Sequence, residues 1–419
     1  MSREMSRGWL AVVGIGDDGI DSLSAAARAL VDGAELLVGG PRHHAMVPKT
    51  AAVRLTWAEG LERAMDVIES WRGRRVVVLA TGDPLFYGAG ANLLRRFTPD
   101  DMMVLPVPGA FSLAAARMVW SLSDVEMLTV HGNSRDRALD TLALSLAPGA
   151  RWLVLSRDGQ TPAAVAALLT AHGYGPSAIT VLEHLGGANE RRLDGIAEAW
   201  SNCAAADLNT LAIECRAGPA ARILSRAPGL ADEAFESDGQ LTKREVRAVT
   251  LAALAPLPGQ VLWDVGAGSG SVAIEWLRAA PRRRPAGRGE AQAVAIERDA
   301  DRCAMIARNA AALGVPQLRI VGAEAPGALA GLEPAPDTVF IGGGIAQPEM
   351  LDAGWSALPS SGRLVANAVT LEGEARLVDF YGAHGGGLVR IAVSRAEPVG
   401  RLSAFKPAMD VIQYVGVKP

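Results

Sequence analysis

The stretch that most constrains this chain is VLWDVGAGSGSVAIEW, from Val261 to Trp276. Val261, Leu262 and Trp263 form a short apolar run into Asp264, and Gly266, Gly268 and Gly270 follow at once. Val272, Ala273, Ile274, Trp276 and Leu277 then read as a helix buried on more than one side. A strand, a glycine-rich turn and a helix in succession predict a nucleotide-binding βα unit. The glycines let a ligand approach the backbone, and the first turn of the helix leaves N–H donors free.

The glycine spacing is GxGxG, whereas the turn that fits a dinucleotide pyrophosphate is GxGxxG. Further on, AVAIE places Glu297 at the end of a second apolar strand, where a carboxylate can accept both hydroxyls of a ribose. Its distance from the glycines exceeds the roughly 20 residues usual in the dinucleotide fold. The loop PRRRPAGRGE accounts for the excess. A lone GxGxG also fits a plain structural turn. The ordered set Asp264, Gly266, Ala267, Gly268, Ser269, Gly270 and Glu297 is more specific, and it resembles the S-adenosylmethionine site of class I Rossmann-like methyltransferases.

At 419 residues the chain is expected to hold two or three domains, and a hydrophobic fraction of 49% with 21% charged residues supplies a sizeable core. The net charge of -4 argues against a protein held to nucleic acid by phosphate contacts. Basic character comes almost wholly from arginine, the only lysines being Lys49, Lys243, Lys406 and Lys418. That bias fits either a compositional drift of the genome or a polycarboxylate ligand gripped by guanidinium forks. Cys203, Cys215 and Cys303 lack metal-ligand spacing, so no metal is expected, and Cys303 reads as a core residue. MSREMSRG is polar and the apolar run after it breaks at Gly14. Nothing approaches the roughly 18 uninterrupted apolar residues of a membrane span. A cytoplasmic chain with no membrane partner is expected.

The first half opens on WLAVVGIGDDG, again a strand running into a glycine turn, followed by a helix from Asp21 to Gly33 and the strand ELLVGG. RVVVLATGDPLFYG carries five apolar residues, Val76 to Ala80, into Thr81, Gly82, Asp83 and Pro84. MMVLPVPGAFSLAAARM repeats the layout through Pro108 and Gly109. Three glycine-bearing strand ends suggest one crevice at the carboxyl edge of a mostly parallel sheet. GIGDDG, ATGDPLFYG and VPGAFSLAAA together resemble the tetrapyrrole methylase family. The resemblance implies S-adenosylmethionine contacts at Gly14, Gly16, Asp83, Phe86, Phe111 and Ser112. The first turn departs from the family pattern by lacking a proline after its second glycine, which leaves the role of Asp17 open.

From Asp124 the strand–helix pattern starts again through VEMLTVHGN, RWLVLS, AITVLEHLG and LNTLAIEC, predicting a second α/β lobe. TVHG with Asn133 and Arg135 resembles the segment of the branch acting at carbon 5 of the precorrin ring. His131 and Arg135 are candidate substrate contacts, although His131 equally fits a satisfied histidine at a strand end. His184, in VLEH, reads as structural. The expected division is a two-lobed domain over 1–218, with lobes of 1–122 and 123–218, a linker over 219–236 rich in Pro, Gly and acidic residues, and a second domain over 237–419.

In that second domain Thr242 reads as the N-cap of the helix KREVRAVTLAALA, with Val246, Val249, Leu251 and Leu254 turned inward and the helix lying across the donor pocket as a lid. Asp299 caps a further helix with the stripe Cys303, Ile306, Ala307, Ala310 and Leu313. LRIVGAEAP ends at Glu324, placed to meet the adenine edge. DTVFIGGG ends in Gly342, Gly343 and Gly344, which would give a flat substrate room beside the methyl donor. GRLVANAV, VRIAVSRAEPV and DVIQYVGV complete a seven-stranded class I layout.

LTKREVR, DVGAGSGSVAIE, AEAPGAL and FIGGG look like the small precorrin methyltransferases that act at carbon 15 and also remove a carboxyl group. Joined, the halves resemble the two-domain decarboxylating precorrin C5,15-methyltransferases of cobalamin biosynthesis. The resemblance implies two S-adenosylmethionine sites, a small-molecule tetrapyrrole (a precorrin-6B-type substrate), a precorrin-8 product and a homo-oligomer. Two rivals stand beside it: a methyltransferase of RNA or protein side chains, and a non-catalytic donor-binding sensor.

Overall fold

The computed structural model describes residues 8–57, 60–130, 135–200, 204–281 and 289–419. His131 lies outside the described residues, and Arg135 opens the helix Arg135–Asp140 with a side chain that is likewise outside them. The chain divides into two compact units, Met1–Ala138 with Ala147–Arg222, and Leu139–Leu146 with Ile223–Pro419.

The first unit begins with β1 (Leu10–Ile15), β2 (Leu36–Val38), β3 (Val53–Leu55), β4 (Val76–Thr81) and β5 (Met102–Leu105). They form a parallel sheet in the order β3-β2-β4-β1-β5. A parallel sheet covered on both faces needs strands that are apolar throughout, and LAVVGI and VVVLA supply them. Alternate residues serve opposite faces: Leu10, Val12, Val76 and Val78 pack with Met65 and Ile68, while Ala11, Val13, Val77 and Leu79 pack with Ala27 and Val31.

The second lobe contains β6 (Glu126–Thr129), β7 (Arg151–Leu155), β8 (Ala178–Glu183), β9 (Arg191–Ile196) and β10 (Asn209–Glu214), in the order β6-β7-β10-β8-β9. Only β6 and β7 run parallel; the other pairings are antiparallel. Strand β9, RRLDGI, is an edge strand with mostly exposed residues, and its charges guard that edge.

The second unit carries β11 (Val261–Val265), β12 (Gln292–Glu297), β13 (Arg319–Gly322), β14 (Thr338–Ile341), β15 (Arg363–Ala368), β16 (Gly387–Ile391), β17 (Ser394–Val399), β18 (Leu402–Pro407) and β19 (Val411–Val417). Seven of them form one sheet, β13-β12-β11-β14-β15-β19-β16, parallel as far as β15, with β19 antiparallel to both its neighbours. This is the seven-stranded class I order. Strands β17 and β18 form a separate exposed hairpin, so the run VRIAVSRAEPV is two strands rather than one.

Helices Arg244–Leu254, Ser271–Ala279 and Ala300–Ala312 cover one face of this sheet, and Met350–Ala357 with Leu371–His384 covers the other. The order reverses between β11 and β14, which opens a crevice at the carboxyl ends of those strands. Residues 223–236, which composition marks as a linker, are built into this unit. Leu230 and Phe235 join its core, and Glu275 accepts the backbone N–H groups of Gly229 at 2.6 Å and Leu230 at 3.0 Å.

Candidate functional site

The crevice of the second unit is a cavity of about 740 Å³. Each parallel strand delivers its carboxyl end to it: Val265–Gly268 after β11, Ile296–Arg298 after β12, Ala323–Ala325 after β13, Gly342–Gly344 after β14, and Asn367 with Val369 at β15. Gly266 has φ +72°, and a Cβ there would stand 2.9 Å from the backbone nitrogen of Gly343. The two glycine loops therefore touch backbone to backbone, and only glycine fits that contact. Gly343 itself has room, because its nearest neighbour would be the Gly266 Cα at 3.7 Å.

Of the residues singled out in the sequence, Thr242, Gly266, Ala267, Gly268, Glu297, Glu324 and Gly342 to Gly344 line this cavity. Asp264, Ser269 and Gly270 do not; they lie beneath the loop. Asp264 is 1% exposed, its Oδ2 accepts the Ala273 N–H at 3.0 Å, and its Oδ1 has no partner among the described residues. Burial, with the charge of Glu297 adding to it and the Ala273 N–H opposing it, pushes the Asp264 carboxyl up to about 7. Glu297 accepts from Gly268 N at 2.9 Å and Asp299 N at 3.1 Å, which fixes its carboxylate at the cavity edge.

The helix Arg244–Leu254 forms a wall and is anchored rather than draped over the site. Arg247, 0% exposed, donates to Glu275 at 2.7 Å and to the carbonyl oxygens of Thr242 and Leu230. Its N-cap is Lys243 rather than Thr242, whose carbonyl is taken by Arg247. Val249 is exposed, and Arg247 and Thr250 occupy the inward positions instead. Asp299 caps its helix through the N–H groups of Asp301 and Arg302 at 2.9 and 3.0 Å.

Sequence reasoning missed two parts of this cavity and one support behind its glycine loop. The hairpin contributes Arg395, Glu397, Lys406 and Pro407 to its lining. Arg395 is paired with Glu245 at 2.5 Å and Lys406 with Glu397 at 3.2 Å, both exposed pairs that a carboxylate ligand can exchange into. Asn367 is held from behind by Gln413 and Thr250, at 2.9 and 2.8 Å. Asn309, buried, donates to the carbonyls of Glu236 and Ser269 and accepts from Glu236 N, tying the glycine loop to the segment before the helix. The turn Pro398–Gly400 is the sequence signal that marks the hairpin; the buried amides leave none.

In the first unit the three glycine-bearing strand ends meet. Gly82 has φ +65° and a Cβ on it would stand 2.8 Å from the Gly109 Cα, while one on Gly14 would collide with the Gly82 carbonyl. Asp83 accepts from Leu85 N at 2.9 Å and so shapes its own turn. Phe86, exposed, meets buried Phe111 edge-on with centroids 5.4 Å apart, and Ser112 is exposed on the helix Ala110–Met118. Between the lobes lies a cleft of about 50 Å³, lined by Gly16, Asp17, Arg42, Thr81 and Gly82 from one lobe and by His184, Leu208, Asn209 and Thr210 from the other. Gly14, Asp83, Phe86, Phe111 and Ser112 flank this cleft in sequence without lining it.

A family model described as tetrapyrrole (corrin/porphyrin) methylases matches residues 10–199, and one described as precorrin methyltransferase domain matches residues 233–418. The chain is 46% identical over 411 residues to the precorrin-6Y C(5,15)-methyltransferase (decarboxylating) of Sinorhizobium sp, covering 98% of this chain and 96% of that protein. The chain belongs to the precorrin-6Y C5,15-methyltransferase (decarboxylating) family. Another member, from Mycobacterium tuberculosis (strain CDC 1551 / Oshkosh), is 42% identical over 405 residues, covering 96% of this chain and 98% of that protein. The crystal structure of the C-terminal domain of the Rhodobacter capsulatus family member is 43% identical, covers 46% of this chain and 100% of that chain, and superposes with a TM-score of 0.42. The family places this chain among decarboxylating methyltransferases that use S-adenosylmethionine.

Proposed function

We propose that this enzyme methylates a reduced precorrin of the precorrin-6B type at carbons 5 and 15 and removes the ring-C acetate carboxyl, giving precorrin-8 in cobalamin biosynthesis. The observation that carries the reading is the end-to-end relation to decarboxylating C(5,15)-methyltransferases across both units. The carbon-15 and decarboxylation chemistry is assigned to the second unit and the carbon-5 methylation to the first. Each is given its own donor site, and neither is given a metal. The enzyme is taken to act in the cytoplasm as a homo-oligomer.

The residues of the second unit fit S-adenosylmethionine. Glu297 stands where ribose hydroxyls would meet it, Gly266 to Gly268 give a close backbone approach, and Val265, Ile296 and Ala323 to Ala325 offer apolar walls with Glu324 at the edge. In the first unit Gly14, Gly16, Asp83, Phe86, Phe111 and Ser112 are assigned to the other donor. When bound, the sulfonium supplies an electrophilic methyl group. The protein then has to align the acceptor carbon and exclude water, which supplies most of the acceleration.

For decarboxylation the methylated macrocycle is itself the electron sink. What the chain must add is an apolar setting for the departing carboxylate and cations for the remaining ones. Lys243, Arg298, Arg302, Arg395 and Lys406 surround the cavity, and Lys243 makes no ion pair among the described residues. Gly342 to Gly344 are assigned to the flat ring beside the donor, with Gly343, whose Cβ position meets nothing closer than 3.7 Å, supplying the space.

Incubation of the purified protein with the reduced precorrin and methyl-labelled donor, read by mass, tests the reading. Two added methyl groups and one lost CO₂ are expected; an unchanged tetrapyrrole, or methyl label appearing in RNA or protein instead, would overturn it.

A further inference from the structure

His184 follows β8 with a left-handed backbone, φ +49°. For a residue with a Cβ that conformation is strained, and such strain clusters where a side chain must be aimed. The turn brings its ring into the cleft between the two lobes, where Nδ1 stands 3.0 Å from Asp17 Oδ2, a partner 167 residues away in sequence. The other Asp17 oxygen accepts from Arg42 at 2.8 Å, and Arg42 donates on to Thr81 at 3.0 Å. Asp17 is therefore held by a permanent cation and can only accept, so it selects the tautomer with hydrogen on Nδ1. Nε2 is left with its lone pair and has no protein partner among the described residues, while the His184 side chain keeps 31% exposure. Among the described residues the charged and titratable groups near it include Asp17, Arg42, His43 (which reaches the same Thr81 hydroxyl at 3.0 Å), Glu183, whose carboxylate is taken by Arg191 at 2.5 Å and by the Ala206 N–H at 2.7 Å, and Glu190, which accepts the Gly186 N–H at 2.8 Å and is paired with Arg117 at 2.9 Å.

We infer that His184, oriented by Asp17, is the base that removes the proton released by methylation in the first unit. The inference rests on the assignment of the carbon-5 reaction to that unit. Methyl transfer to a ring carbon uses one π pair of the macrocycle for the new C–C bond, and the C–S pair stays with sulfur. The macrocycle is left with one positive charge and one proton to lose, from the methylated carbon or a pyrrole N–H. His184 Nε2 gives its lone pair to that proton, the C–H or N–H pair returns to the π system, and Asp17 stabilises the imidazolium. The partly exposed ring then passes the proton to water. The same arrangement gives a role to Asp17, which follows the second glycine of the first turn where the family pattern has a proline.

The test compares the full-length protein with His184→Gln and Asp17→Asn. Single-turnover carbon-5 methylation is read by mass across pH, alongside carbon-15 methylation, calorimetric donor binding and ¹⁵N spectra of histidine-labelled protein. Positioned bases contribute about 10²–10⁴-fold. His184→Gln should therefore lose at least about 100-fold at carbon 5 and its acid limb, with donor binding and carbon-15 methylation unchanged. The wild-type spectra should show Nδ1 protonated and Nε2 bare at alkaline pH, and Asp17→Asn should abolish that preference. Wild-type rates and pH profile in His184→Gln would overturn the inference, as would the opposite tautomer, or loss of donor binding together with methylation, which would make His184 a binding residue. Absence of carbon-5 methylation in the wild type would instead refute the underlying functional reading.

Discussion

Asp264 predicts a pH dependence of stability that one substitution should erase. Asp264 is 1% exposed, one carboxyl oxygen is bonded to the Ala273 N–H and the other has no partner among the described residues, so ionisation inside the fold is costly. The folded value is pushed up to about 7 from an ordinary 3.8. Between those values the folded chain keeps a proton that the unfolded chain has lost. Stability contributed here is therefore full below about pH 4, falls as pH rises, and levels off above about 7. A gap of about 3 pH units at about 1.4 kcal/mol each amounts to about 4 kcal/mol. Asparagine keeps the acceptor for Ala273 and cannot ionise. Calorimetry of the full chain without donor, from pH 4.5 to 8.5, should show Asp264→Asn gaining on wild type as pH rises. For a unit of this size the difference in Tm should move by roughly 8–16 °C. Parallel profiles for the two proteins would refute a buried, ionisable Asp264.

Further outcomes follow from the same geometry. Arg247→Met should cost about 3–5 kcal/mol in denaturant titrations because it strands buried Glu275, and adding Glu275→Leu should not restore stability, because the Gly229 and Leu230 N–H groups then lose their acceptor. Gly343→Ala meets nothing closer than 3.7 Å in the protein, so its stability should stay within about 0.5 kcal/mol, while its methyl enters the cavity and lowers carbon-15 methylation with donor affinity unchanged. Asp83→Ala should remove carbon-5 methylation and spare carbon 15, and Glu297→Ala should do the reverse, each read by product mass. Loss of both reactions in either folded variant would contradict separate sites.

How far the chain could be read in advance depended on what burial demands of each segment. Strands β1, β4, β11 and β14 were legible because a parallel sheet buried on both faces needs unbroken apolar runs. The glycine loop after β11 was legible because Gly266, with positive φ and its backbone against Gly343, admits no side chain. In the helix Arg244–Leu254 the inward face shows in Val246, Leu251 and Leu254, but hydrophobic periodicity places Val249 inward and Arg247 outward, because it cannot see the Glu275 carboxylate that lets Arg247 be buried. Strands β17 and β18, exposed on both faces, have no alternation to reveal them. The pairing of Asp17 with His184 and the role of Asn309 depend on contacts across the fold, and no local pattern encodes them.

The central claim is that one polypeptide carries two independent methyl-donor sites, one in each unit. Calorimetric titration of the full chain with S-adenosylmethionine tests it most directly. Two equivalents should bind per chain, falling to one in Asp83→Ala and to one in Glu297→Ala. Saturation of the wild-type protein at a single equivalent would contradict the account.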